Sequence, residues 1–110
     1  MDTSVLDRTA RALADPTRRE ILDLVRVDEH TASGIAGRFT VSRPAISQHL
    51  RVLHDAELLT CRTEGTRRWY RARPEGLGDL RSWLDEFWAA GLQRLKADVE
   101  RSVAAKETSP

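Results

Sequence analysis

Several function classes are excluded by what this chain lacks. Its 110 residues hold one cysteine, Cys61, so no internal disulfide can form. No apolar run approaches the roughly 18 residues of a membrane-spanning helix. The opening segment, MDTSVLDRTA, has neither a basic n-region nor an apolar h-region, so it is not read as a secretory signal. A cytoplasmic protein is the expectation, with no membrane partner. Of the six glycines, Gly34 and Gly37 are too isolated to form a phosphate-cradling loop. Ser47 and His49 lie two apart on a predicted helix and do not face each other, so no nucleophile–base set is in view and an enzyme is not expected. There is no internal repeat and no low-complexity segment. The length fits one domain spanning residues 1–110, and 40% hydrophobic residues support a modest core. Residues 1–4 and 104–110 are expected to fray.

The overall charge, +1, is almost neutral, but its distribution is not even. Residues 40–73 carry seven arginines against Asp55, Glu57 and Glu64, a net of +4. Residues 1–39 come to −1 and residues 74–110 to −2. A local positive footprint of this kind drives nucleic-acid affinity through counterion release.

The segment SGIAGRFTVSRPAISQHLRVL, residues 33–53, lies inside and just before that footprint. Its second half reads as a helix capped by Ser42, with Pro44 in the first turn, where a missing N–H costs nothing. Ile46, Leu50 and Leu53 recur at helical spacing as one apolar stripe. The opposite face collects Arg43, Ser47, Gln48, Arg51 and His54. Gln can pair bidentately with adenine, Arg with guanine, and Ser with either base or a phosphate. The plain alternative is a solvated surface helix, which would favour Glu and Lys. The first half predicts a shorter helix, about 32–38, capped by Thr31 or Ser33 and burying Ile35, Ala36 and Phe39. Its small residues permit the close, steep crossing of a helix-turn-helix. Residues 38–41 form the turn, with Val41 as a hydrophobic staple before the Ser42 cap.

LLTCRTEGTRRWYRAR, residues 58–73, is rich in β-branched and aromatic residues and reads as a hairpin with its tip at Glu64-Gly65. Arg62, Arg67, Arg68, Arg71 and Arg73 flank the tip. Such an arm suits phosphate contact or entry into a minor groove. The alternative is an edge hairpin kept soluble by charge. Cys61 is expected to be a buried apolar filler on the first strand.

Two helices precede this head. The first carries Leu6, Ala10 and Leu13. The second is capped by Asp15, begins at Pro16 and buries Ile21, Leu22, Leu24 and Val25. Arg18 and Arg19 read by default as solvated, with reach to a phosphate or to Asp15 as the lesser alternatives for Arg18. One long helix follows the head, about 77–103. Leu77, Leu80, Trp83, Leu84, Phe87, Trp88, Leu92, Leu95 and Val99 form a stripe too wide for so small a domain to cover. It is read as a self-association surface in preference to a helix folded back on its own core. A symmetric dimer would present two reading helices to successive major grooves. The fold expected is mainly α with a small β-hairpin: a winged helix-turn-helix of five helices and a two-stranded wing. The reading head is placed at about 31–73 and the dimerisation helices at about 5–14 and 77–103.

ARALADPTRREILDLV, then VSRPAISQHLRVL and EGTRRWYR, together resemble the ArsR (arsenic-repressor) family of bacterial winged-helix repressors over about residues 7–90. The resemblance implies a homodimer built on the first and last helices, with Leu6, Leu80, Trp83, Leu84, Phe87, Trp88, Leu92 and Leu95 at its interface. It implies repression by occupying a palindromic operator, often in the promoter of the repressor's own gene. It places Ser42, Arg43, Ser47, Gln48 and His49 at the groove, beside the Arg51 of the helix-face reading, and Arg67 and Arg68 on the wing. The helical wheel puts His49 nearer the buried edge.

The chain departs from the metal-sensing members. Many of these use a Cys-x-Cys in the first helix of the helix-turn-helix, or Asp and His pairs on the last helix. Residues 33–38 contain no Cys, and the last helix has Asp79, Asp85, Glu86, Asp98 and Glu100 but no His. Soft-metal sites need thiolate or imidazole, so no metal or other cofactor is expected; a small-molecule effector stays open. The rival function is a winged-helix protein–protein module that does not read DNA.

Overall fold

The computed structural model describes residues 3–108. The chain divides at residue 80 into two units. The first contains helices α1 (Thr3–Leu13), α2 (Pro16–Val27), α3 (Ala32–Ala36) and α4 (Arg43–Asp55) and strands β1 (His30–Thr31), β2 (Leu59–Glu64) and β3 (Arg67–Ala72). A 3-10 turn, Pro74–Leu77, leads into α5 (Gly78–Thr108), most of which is the second unit. Of the residues expected to fray, 3–4 and 104–108 are helical; Met1, Asp2, Ser109 and Pro110 lie outside the described residues.

Each helix start has a chemical cause. Asp15 accepts from the Thr17 and Arg18 amides at 2.8 and 3.2 Å, with Pro16 at the first helical position. The Arg18 amide, with help from the Thr17 amide, holds the Asp15 carboxyl below its ordinary value against the opposing effect of burial. Thr31 Oγ1 accepts from Gly34 N at 3.0 Å to start α3, and Ser42 Oγ accepts from Ala45 N at 3.3 Å to start α4. Val41, the expected staple, is 39% exposed.

Arg18 and Arg19 are not simply solvated, and the Arg18 side chain bonds carbonyls and not the Asp15 carboxylate. Its Nε donates to Ala12 O at 2.7 Å and its Nη2 to Arg11 O at 2.8 Å, while Arg19 Nη1 donates to Leu13 O at 2.7 Å. Two arginines at the start of α2 thus satisfy the orphan carbonyls that end α1. The buried side of α1 is Thr9 and Ala12 with Leu13 partly covered, while Ala10 is exposed. The apolar spacing Leu6–Ala10–Leu13 misplaces the face because Thr9 satisfies its own hydroxyl by donating to Val5 O at 3.0 Å, and so can be buried.

The core joins Ile21 and Val25 of α2, Ile35 of α3, Ile46, Leu50 and Leu53 of α4, and Leu58, Leu59 and Tyr70 of the hairpin region. The sheet is one strand larger than the expected two-stranded wing. Its order is β1-β3-β2, all antiparallel, with His30 opposite Tyr70 and Thr31 opposite Trp69. A two-residue strand has no periodicity to reveal it. The β2–β3 register ends at Glu64 opposite Arg67, so the turn is Gly65-Thr66, one residue beyond the expected tip. Gly65 has φ +61°, which suits the first central residue of a type II′ turn.

α4 ends in a Schellman motif. Leu58 N donates to Leu53 O at 2.9 Å and Glu57 N to His54 O at 2.9 Å, with Glu57 left-handed at φ +61°. Gly76 lies against this corner: a Cβ there would sit 2.1 Å from Glu57 O and 2.9 Å from Glu57 C. Backbone cannot yield as a flexible side chain does. Gly76→Ala is therefore expected to cost at least about 2 kcal/mol, read as a lower denaturant midpoint with unchanged helicity in water.

Candidate nucleic-acid interface

α4 presents one face because the other is buried. With Ile46, Leu50 and Leu53 in the core, Arg43, Ser47, Gln48, Arg51 and His54 are all exposed. Ser47, Gln48 and Arg51 have no side-chain hydrogen-bond or ion-pair partner among the described residues and are free to meet a ligand. Ser42 is exposed, with its hydroxyl engaged as the helix cap. Arg43 reaches back across the turn, its Nη2 donating to Ser33 Oγ, which ties α4 to α3. His49 is half-buried, its Nδ1 3.4 Å from Arg18 Nη1. The wheel-based expectation of His49 at the buried edge matches this placement.

The hairpin stands beside that face. A cleft of about 440 Å³ between α4 and the sheet is lined by Ser47, Arg51 and His54 on one side and Cys61, Arg68 and Tyr70 on the other. A second, of about 460 Å³, has Ser33, Arg43, Thr66, Arg67 and Arg68 on its walls. Four arginines (Arg43, Arg51, Arg67 and Arg68) thus border the space between helix and hairpin. Arg62 is otherwise occupied: its guanidinium bonds Glu29 and Glu64, both at 2.6 Å. Arg73 donates to Glu57 O at 3.2 Å, behind α4. The sequence pattern counted both with the wing.

Cys61 is exposed and not a buried filler. Only Leu59 of β2 is buried; beyond it the strand leaves the core, and Cys61, opposite Tyr70, lines the open cleft. Burial and the neighbouring thiol push the Tyr70 hydroxyl up from its ordinary value, while Arg68 draws it down. Among the described residues no three His, Cys, Asp or Glu side chains gather where they could hold a metal ion.

A helix-turn-helix whose second helix exposes Ser, Gln and Arg, with an arginine-bearing hairpin at its side, is a winged helix-turn-helix DNA-binding domain. Residues 15–60 match the family described as bacterial regulatory protein, arsR family. The chain is 46% identical over 86 residues to the HTH-type transcriptional regulator Rv2034 of Mycobacterium tuberculosis, covering 78% of this chain and 80% of that protein. It is 37% identical to the transcriptional repressor SdpR of Bacillus subtilis, covering 74% and 91%. Among solved structures it is similar to a "possible transcriptional regulator for arsenical resistance", at 48% identity and TM-score 0.65, covering 80% of this chain and 92% of that one. It is also similar to the homodimeric winged helix-turn-helix domain Mb0332 of Mycobacterium bovis, at 28% identity and TM-score 0.64, covering 84% and 85%. The chain belongs to the arsR family of bacterial regulatory proteins.

Gln48 is the exposed side chain on α4 with the donor–acceptor pair that matches adenine. Gln48→Ala is expected to reduce the preference for a specific duplex by about 1–3 kcal/mol while leaving random-sequence affinity unchanged. Equal losses on both duplexes would reassign Gln48 to phosphate contact.

Proposed function

We propose that the protein is a cytoplasmic, homodimeric transcriptional repressor that binds a palindromic operator, commonly the one governing its own gene, and that it has no catalytic activity. The observation that carries the DNA-reading part is the unpartnered Ser47–Gln48–Arg51 face beside Arg67 and Arg68. The SdpR relative is a transcriptional repressor, which supports repression here. In this reading Ser42, Arg43, Ser47, Gln48, Arg51, Arg67 and Arg68 lie at the DNA, with His49 at the margin. No described helix is long and apolar enough to cross a membrane. Any effector is a small molecule other than a soft metal ion.

Fluorescence anisotropy tests the reading, using the duplex upstream of its gene against a scrambled control. Steep salt dependence and at least about 10³-fold preference are expected. Weak, equal, salt-insensitive binding would favour a winged-helix module for protein partners.

Self-association rests on the second unit. Trp83 and Phe87 stack with ring centroids 5.6 Å apart, yet Phe87 and Trp88 are 66% and 65% exposed. Leu84, Leu92, Leu95, Val99 and Val103 are exposed along the same helix. So large an apolar surface marks an interface, and a symmetric pair is the commonest way to cover it. The homodimeric Mb0332 domain supports this. Leu6, which is half-buried, and Leu80 join the proposed interface from the first unit. Trp88→Ala is expected to shift the protein toward monomer in light scattering at low micromolar concentration; an unchanged mass would remove Trp88 from the interface.

A further inference from the structure

Arg62 crosses the whole sheet. It starts on β2, passes over Trp69 of β3 with its guanidinium 5.6 Å from the ring centroid, and reaches Glu29, the residue just before β1. One arm (Nη2) bonds Glu29 Oε1 and the other (Nη1) bonds Glu64 Oε2, both at 2.6 Å. These are short, charge-assisted bonds that use the fork of the guanidinium.

Two consequences follow from the register. β1 is only two residues long, yet it leads directly into α3 through the Thr31 cap. The paired rungs His30–Tyr70 and Thr31–Trp69 are the ladder joining the helix-turn-helix to the hairpin. The Glu29–Arg62 bond is a second tie, between the entry to β1 and β2. Glu64 is also the cross-strand neighbour of Arg67. Its carboxylate is turned to Arg62, and Arg67 has no ion-pair partner among the described residues. Releasing Glu64 would let it neutralise the cation at the wing tip.

We propose that Glu29, Arg62 and Glu64 form a strap that aims the wing and keeps the tip carboxylate off Arg67, so that Arg62 is a positioning residue for DNA reading and not a phosphate contact. The proposal rests on the DNA-reading function above. Its effect is on orientation, since exposed ion pairs add little stability.

The sign of the Glu29 effect is diagnostic. Removing an acid near a DNA-binding surface raises DNA affinity or leaves it unchanged if only charge matters. The strap demands the opposite. The test uses the full chain and a duplex selected by the wild-type protein from a random pool, with a scrambled duplex as control. Glu29→Gln is expected to weaken binding to the selected duplex by about two- to fivefold, the range of an exposed pair, and not to the scrambled one. Arg62→Lys keeps the charge but loses the fork, and is expected to weaken binding to the selected duplex at least as much, with part of the loss shared by the scrambled one because Glu64 is released toward Arg67. The double variant is expected to be no weaker than the weaker single variant, as for residues acting through one device.

Glu29→Gln binding as tightly as wild type, or more tightly, would overturn the strap. So would wild-type affinity in Arg62→Lys, or losses that simply add. Loss on both duplexes alike with Glu29→Gln would also overturn it, by showing general disruption. If the wild-type protein itself shows no preference for its selected duplex, the operator-reading proposal fails first, and that control separates the two failures.

Discussion

The burial of Ile46, Leu50 and Leu53 is the constraint on which the reading surface depends. Each such side chain is worth about 1.5–3 kcal/mol when removed from water. Turning α4 by one residue, roughly 100°, would expose that stripe and drive Ser47, Arg51 and His54, or in the opposite sense His49, into the core. The helix therefore has one stable rotation, and the identity of its outward face follows from it. The surrounding pieces reinforce the same setting. The Schellman motif fastens the C-terminus of α4 through Leu58, itself a core residue, and Arg43 fastens its N-terminus to Ser33. Arg18 touches His49 from the α1–α2 corner while capping α1.

Electrostatics divides the arginines into two populations that composition alone merges. Arg18, Arg19, Arg62 and Arg73 direct their donors at carbonyls or carboxylates of the protein itself. Arg51, Arg67 and Arg68 have no carboxylate partner among the described residues and border the space between α4 and the hairpin. The net +4 of residues 40–73 is real, but the charge available to phosphate is concentrated in fewer side chains than the count suggests. Concentration in one cleft also makes the arrangement directional. A diffuse positive surface steers DNA inward, whereas arginines held on two facing elements prefer one docking angle.

Where a residue's role was set by local chemistry, the sequence was legible. Asp15-Pro16 and Ser42 with Pro44 are caps whose partners lie two or three residues on, and the Ile46–Leu50–Leu53 stripe has a helix's period. Glycine at the wing turn was recognisable because only the turn needs positive φ there. What escaped depends on contacts distant in sequence. β1 is a strand only because β3 comes back to it, and Cys61 is exposed only because β2 leaves the core beyond Leu59. Arg62 meets Glu29 33 residues away. Glu57 adopts a left-handed backbone that no glycine announces, held by the bonds at the end of α4. Thr9 was missed for another reason: apolar spacing counts side chains by type, and a threonine that bonds its own helix is buried as readily as alanine.

α5 poses a different physical problem from the rest of the chain. Phe87, Trp88, Leu92 and Leu95 stand in water along a helix whose charged neighbours, such as the Arg81–Asp85 pair, make only the weak bonds of a surface helix. Helix propensity and such pairs contribute tenths of a kcal/mol each, whereas covering one large apolar side chain contributes about 1.5–3. The helix therefore gains most from a partner that buries its aromatic stretch. In the proposed homodimer that same burial brings two copies of α4 into one molecule. Reading heads about one DNA turn apart would engage both half-sites of a palindrome, the second at the effective concentration set by the first. A monomer with an identical reading face would contact half the bases and half the phosphates. On this account operator preference is a property of α5 as much as of α4: one helix supplies the chemistry of each half-site, and the other makes two half-sites count as one.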